Sequence, residues 1–402
     1  MIVSIVAICL ALTACAAVRL FSPPEGAAYA ADAEDKLNDI EQDLSDEINK
    51  ELDALVSDDL DEYFSGISGS LNGTGTSFKD FVRNVINGEN TLSADELLDF
   101  AWDSLKDGVL AAVAAVAVLV VLAVLGGMSD ALSSGFKRQS TKQIIYFAIY
   151  AGVVASLGAI VVSLTGGVTD AISDLSTLLN YSTPVFVTLL TAIGGTGGAE
   201  MLAPFTMLMS GVVLNVVNSL IIPLFFASVV FTMIGNLSDS VKLGKLTKAV
   251  KSIGSWVMGI MFGLISTFAG IQGLVGAGID TIAVKSAKFA LSSYIPILGG
   301  YLSEGFDIVM ASGVLIKNAA GLAVFVILVV TVTAPIIKLV LFSAVLKLTA
   351  GVIEPVGDPK ISELIYNTAS NLNLLIAAVA GSAFLIFIML MLVIGAFNAG
   401  VV

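Results

Sequence analysis

Histidine is absent from this 402-residue chain, and its only two cysteines, Cys9 and Cys15, lie close to the start. Without an imidazole no Ser–His–Asp arrangement can form. If the first 30 residues are removed, no thiol remains. A Cys nucleophile, a disulfide, and any zinc, haem or iron–sulfur site built on Cys or His are then excluded. The nearest approach to a phosphate loop, "GKL" at 244–246, fails at the Ser/Thr position of G-x-x-x-x-G-K-[ST]. No catalysis, cofactor or metal is therefore expected, and any work must come from another subunit or an ion gradient. Charge is scarce as well. Only 13% of residues are charged and 56% are hydrophobic, whereas about a quarter of a soluble chain is charged. With a mean hydropathy of +0.95, most of this chain belongs in lipid.

The formal charge of −14 is unevenly placed. Residues 32–107 hold 21 acidic and five basic side chains, and residues 108–402 hold 11 and 13. An acidic front thus precedes a nearly neutral membrane part, divided as 31–107 and 108–402. Residues 1–30 belong to neither. "MIVSIVAICLALTACAAV" is apolar, and "AYA" at 28–30 has the small-x-small form of a signal-peptidase site, which predicts a removed leader. "LTAC" at 12–15 offers the alternative of a lipoprotein site with Cys15 lipidated. In the acidic front, Leu37, Ile40, Leu44, Ile48, Leu52, Leu55, Leu60 and Phe64 keep three- and four-residue spacing. This makes an apolar stripe on an acidic helix. The stripe packs either on residues 78–106 or the membrane part, or on a partner protein.

Uncharged stretches of about 20 residues, enough to cross a bilayer at 1.5 Å per residue, centre on 109–126, 143–166, 218–236, 255–279, 319–337 and 372–398. "FKRQSTK" at 136–142 and the lysines at 242, 245, 248 and 251 orient their ends to the cytoplasm. Lys338 and Lys347 follow them, and Asp170 and Asp174 then lie outside with the acidic front and the C-terminus. The segment 241–251 also carries its lysines opposite Val241, Leu246, Val250 and Ile253, as a helix lying along the inner leaflet would.

Two stretches fit no plain span: "PVFVTLLTAIGGTGGAEMLAPFTMLMSG" (184–211) and "KFALSSYIPILGGYLSEGFDIVMASG" (288–313). Each has an apolar arm, a Gly–Gly break (Gly194–Gly195; Gly299–Gly300, preceded by Pro296) and a nearby carboxylate. Each second arm ends in Ser–Gly–Val, and an Asn (Asn218, Asn318) and a proline (Pro223, Pro335) follow. Such a weak repeat has the form of paired broken segments at mid-membrane. Broken backbone is tolerated at membrane depth only where protein or a wet cavity covers it, which predicts two re-entrant hairpins. Glu200, Glu304 and Asp307, with Lys285 and Lys288 nearby, are the ionisable residues that could line a pathway; equally, they could mark hairpin ends at the water interface. The expected fold is an all-α polytopic membrane protein with about six spanning helices plus these hairpins.

"GLISTFAGIQGLVGAGIDTIAVKSAKFALSSYIPILGGYLSEGFDIV", with "LLTAIGG" and "NSLIIPLFF" earlier, resembles the stage III sporulation protein AE family of endospore-forming bacteria. The resemblance implies a non-enzymatic component of the assembly linking mother cell and forespore, in the mother-cell membrane around the forespore. Its implied partners are membrane and ATPase proteins encoded in the same operon, with the lipid bilayer and no nucleic acid. It implies no catalytic or ligand residues. A secondary transporter driven by an ion gradient is the alternative, which the repeat and the carboxylates favour.

Overall fold

The computed structural model describes residues 52, 56, 58–72, 76–87, 94–132, 139–192, 199–200, 204–206, 209–237, 243–294 and 299–395. Every regular element among them is helical. In chain order these are α1 (Asp58–Asn72), α2 (Phe78–Ile86), α3 (Ala94–Leu132), α4 (Gln139–Ala192), α5 (Ile222–Leu237), α6 (Gly244–Tyr294), α7 (Gly299–Ile353), α8 (Pro359–Asn371) and α9 (Asn373–Gly395). Two π-helical turns, Met209–Val213 and Val217–Ile221, lead into α5. Six helical stretches are long and apolar enough to cross a membrane: Glu96–Met128, Gln143–Ala192, Pro204–Leu237, Gly244–Phe268, Gly313–Ile353 and Pro359–Met391. Each coincides with one of the stretches expected from the sequence. The chain is an all-α polytopic membrane protein.

The acidic front is packed against this bundle. Ser77 starts α2 by accepting a hydrogen bond from the Asp80 amide at 3.1 Å, and Asp61 of α1 accepts from the Lys79 amide at 3.1 Å. This hairpin brings Phe64 edge-on to Phe78, with ring centroids 5.4 Å apart, and close to Phe81. Leu52, Leu60 and Phe64 of the predicted stripe are fully covered, so its described part packs within the chain; Leu37, Ile40, Leu44, Ile48 and Leu55 lie outside the described residues. Tyr63 reaches across to α4, where its hydroxyl donates to the Asp174 carbonyl at 3.1 Å and its ring meets Tyr181 edge-on. The change in composition at 107/108 coincides with no break, because α3 runs straight through it.

Contacts between the helices fix their relative directions. Gly126 of α3 faces Ile149 near the start of α4, so these two run antiparallel. Gly108 faces Leu341 and Gly127 faces Val356 and Gly357, so α3 and the C-terminal half of α7 run parallel. Near the start of α4, Tyr150 donates to the Met233 carbonyl at 2.5 Å, fixing the end of α5 at that same end of the bundle. Lys251 and Gly254 of α6 meet Ser370 and Leu374 in turn, giving a second parallel pair. Asp358 caps α8 by accepting from the amides of Lys360 and Ile361, with Pro359 opening the helix. The apolar stretch of α8 and α9 is 72% buried, against 22–50% for the other spans, so it forms the centre of the bundle.

Three departures from the sequence reading concern length and depth. The arm at 184–192 is no separate hairpin limb: α4 continues through Gly166, Gly167 and Pro184 for 54 residues, about 80 Å at 1.5 Å per residue. An unbroken helix satisfies its own backbone, so neither the glycines nor the aspartates need end it. The segment 241–251 is no separate helix lying along the leaflet either. From Gly244 it is the start of 51-residue α6, continuous with the span. Finally, Lys338 lies beside Gly108, at the far end of the apolar run of α3 from the α7–α8 turn, because the apolar run of α7 extends on to Ile353.

Candidate functional site

Of the residues singled out at the two breaks, Pro296, Gly194 and Gly195 lie outside the described residues. Glu200 is exposed on a short helical piece. Gly299 and Gly300 form the first turn of 55-residue α7, and Glu304 and Asp307 lie further along it; Lys285 and Lys288 lie in α6. The side chains of Glu304, Asp307, Lys285 and Lys288 fall outside the description. The stretches proposed as a repeat differ in winding. Met209–Ile221 carries two π turns, the first braced by Asn215 Nδ2 donating to the Gly211 carbonyl at 2.6 Å, while 313–353 is regular α-helix with Pro335 inside it. π turns inside helices recur at functional positions.

The structure assembles two polar features that the broken stretches did not point to. One is Lys317, which is 0% exposed in the apolar run of α7. The other is a cavity of about 890 Å³ between α5, α6 and α8, at the end of the bundle where α6 begins. Lys245, Lys248 and Lys251 enter it from one face of α6, at i, i+3 and i+6. Lys360 and Glu363 enter from the opening of α8, three residues apart. Among the described residues four lysines thus face a single carboxylate there.

The floor is hydrogen-bonded. Lys251 Nζ donates to the Ser370 carbonyl at 3.1 Å. Asn371, 1% exposed, donates through Nδ2 to Thr232 Oγ1 at 3.1 Å, and Thr232 donates to the Ser228 carbonyl. Asn371 Oδ1 accepts no hydrogen bond among the described residues. At the rim, the amide of Thr247 makes a helical bond to the Leu243 carbonyl. The amides of Gly244, Lys245 and Leu246 precede it and have no acceptor within the helix, which adds a positive helix terminus to the lysines. Such an arrangement attracts an anion. Among the described residues no group of three His, Cys, Asp or Glu could hold a metal ion.

The sequence announced half of this cavity, the lysine run at 245–251. The other half comes from α8, a polar thirteen-residue helix more than a hundred residues later. Its only sequence signal is the polar run "PKISELIYNTASN" between two apolar stretches.

Comparison with known proteins places these features in a family. The sequence model described as Stage III sporulation protein AE matches residues 76–396. A curated relative, "Stage III sporulation protein AE" of Bacillus subtilis strain 168, is 23% identical over 347 residues, covering 86% of this chain and 87% of its own length. No solved structure matches.

Proposed function

The chain belongs to the stage III sporulation protein AE family, and from that premise we propose that it is a non-enzymatic subunit of the channel between mother cell and forespore, serving as a platform or export gate. Its place is then the mother-cell membrane around the forespore, and its partners are the ring-forming membrane proteins and the ATPase of the same operon. The observation that carries this reading is the length of α4, α6 and α7, which run for 54, 51 and 55 residues. At 1.5 Å per residue each is about 80 Å long, more than twice the ~30 Å hydrocarbon core. A large helical body, with α1 and α2 docked on its side, must therefore stand clear of the bilayer. A solute carrier has little need of such a body; a subunit that holds other proteins at a membrane does.

Lys317 favours the second reading. A fully covered lysine in an apolar helix is the kind of group that ion-coupled carriers use. Purification in gentle detergent from sporulating cells separates the two. Co-purification with ring and ATPase components in fixed stoichiometry supports the channel subunit. A lone protein that moves a solute across liposomes, with that activity lost in Lys317→Gln, supports the carrier.

A further inference from the structure

We propose that the cavity between α5, α6 and α8 holds the head group of an anionic phospholipid, its phosphate against Lys245 and Lys248 and a head-group hydroxyl donating to Asn371 Oδ1. Three independent features meet there. The charge is lopsided, with four lysines against Glu363 among the described residues. The start of α6 adds three amides without helical acceptors. Asn371, almost fully covered, is among the residues that line the same cavity, and its Oδ1 accepts nothing among the described residues. Covered acceptors are nearly always satisfied, and a phosphodiester cannot satisfy this one because it carries no proton at neutral pH. A head group carrying both a phosphodiester and a hydroxyl, as in phosphatidylglycerol, supplies both partners.

The flanks identify the source as a lipid rather than a free anion. On α5, Val230, Ile234 and Leu237 are exposed large apolar residues, and on α6 Leu246, Ile253 and Trp256 are exposed likewise. Leu246, Ile253, Trp256, Ile260 and Leu264 follow one another at helical spacing on the outside of a membrane span. Both stripes lie on the outward faces of α5 and α6, turned away from the faces that line the cavity, and they reach the end of the bundle where it opens. That arrangement suits an amphiphile with its head in the cavity and its chains on the stripes, and basic pockets at the ends of spans bind anionic head groups in this way. Inorganic phosphate alone would make no use of the stripes and would leave most of the ~890 Å³ empty.

Trp256 supplies the probe, because the chain has only one other tryptophan, Trp102. The full chain carrying Trp102→Phe is reconstituted in phosphatidylcholine vesicles containing a minor fraction of brominated phosphatidylglycerol or brominated phosphatidylcholine, and Trp256 quenching is read. Lysines near a membrane surface are worth about fivefold each toward anionic lipid, so phosphatidylglycerol is expected to be preferred by roughly tenfold or more. Lys245→Gln with Lys248→Gln, both exposed positions, is expected to bring the preference close to parity. Glu363→Gln, which removes the one carboxylate among the described lining residues, is expected to strengthen it. Equal quenching by the two lipids in the unaltered cavity overturns the proposal, as does a preference that survives the double lysine change. Displacement of the brominated lipid by millimolar inorganic phosphate, with no preference between lipids, would assign the cavity to a soluble anion and also overturn it.

Discussion

Gly127 sits where α3 meets the α7–α8 turn, and replacing it with alanine tests whether that seam is as tight as its geometry requires. A Cβ there would lie 2.8 Å from Gly357 Cα and closer still to the Val356 carbonyl oxygen. Both obstacles are backbone, so no side chain can swing aside. Gly357 is itself hemmed in, with its own Cβ position 2.5 Å from Ile353 Cγ2. Alanine gains about 1 kcal/mol over glycine in a helix interior, while overpacking against an unyielding neighbour costs about 1–3 kcal/mol. With backbone on the far side the upper end applies, leaving a net loss of about 2 kcal/mol. Gly158, in the middle of α4, has nothing within 4 Å of its Cβ position. Gly158→Ala should therefore hold or raise stability. Purified variants in one detergent, melted side by side, should show Gly127→Ala falling by roughly 4 °C and Gly158→Ala unchanged or higher. A Gly127→Ala protein that melts with or above the parent would refute the close approach of α3 to the turn.

Three further outcomes are expected. Tyr63→Phe removes the hydroxyl bond to the Asp174 carbonyl, worth about 1 kcal/mol, so amide exchange in α1 and α2 should quicken by about fivefold. Burial first, and then the nearby Asp174 carboxylate, hold the Tyr63 phenol well above its ordinary pKa. The docking contribution is therefore complete below about pH 10 and fades as pH climbs through that raised value; undocking near neutral pH would contradict this. The mature N-terminus should be Ala31, and a lipid-modified Cys15 would establish the lipoprotein reading instead. Because α7 begins at Gly299, Gly299→Ala with Gly300→Ala should leave membrane level and spore yield unchanged. Lost sporulation at normal membrane level would instead show a turn there that only glycine can make.

The spans were legible because each is a long apolar run, and lipid permits little other than helix for such a run. Leu60 and Phe64 were legible because three- and four-residue spacing leaves one face to cover, and that face is covered by Phe78 and Phe81. The great length of α4 was not. Gly166, Gly167, Asp170, Asp174 and Pro184 each read locally as an end, yet α4 passes through all of them, with Val168, Ile172 and Leu175 buried between them. Packing outweighed local propensity there. The basic cavity was half legible, since sequence spacing puts Lys245, Lys248 and Lys251 on one face. Nothing in it says that Lys360 and Glu363 will fold back against them, because that pairing depends on the turn at 354–358 and on Asp358 capping α8.

The central claim is that the long helices carry the protein well clear of the bilayer. It is tested most directly at Asn180, an exposed position on α4 that lies eighteen residues beyond exposed Val162 on the same helix. In a chain with Cys9 and Cys15 replaced by serine, expressed in vegetative cells so that the outer membrane face meets the medium, single cysteines at Asn180 and at Val162 are treated with a membrane-impermeant maleimide. The account predicts that the cysteine at Asn180 reacts and the one at Val162 is protected in lipid. Protection at Asn180, or equal reaction at both, would contradict it.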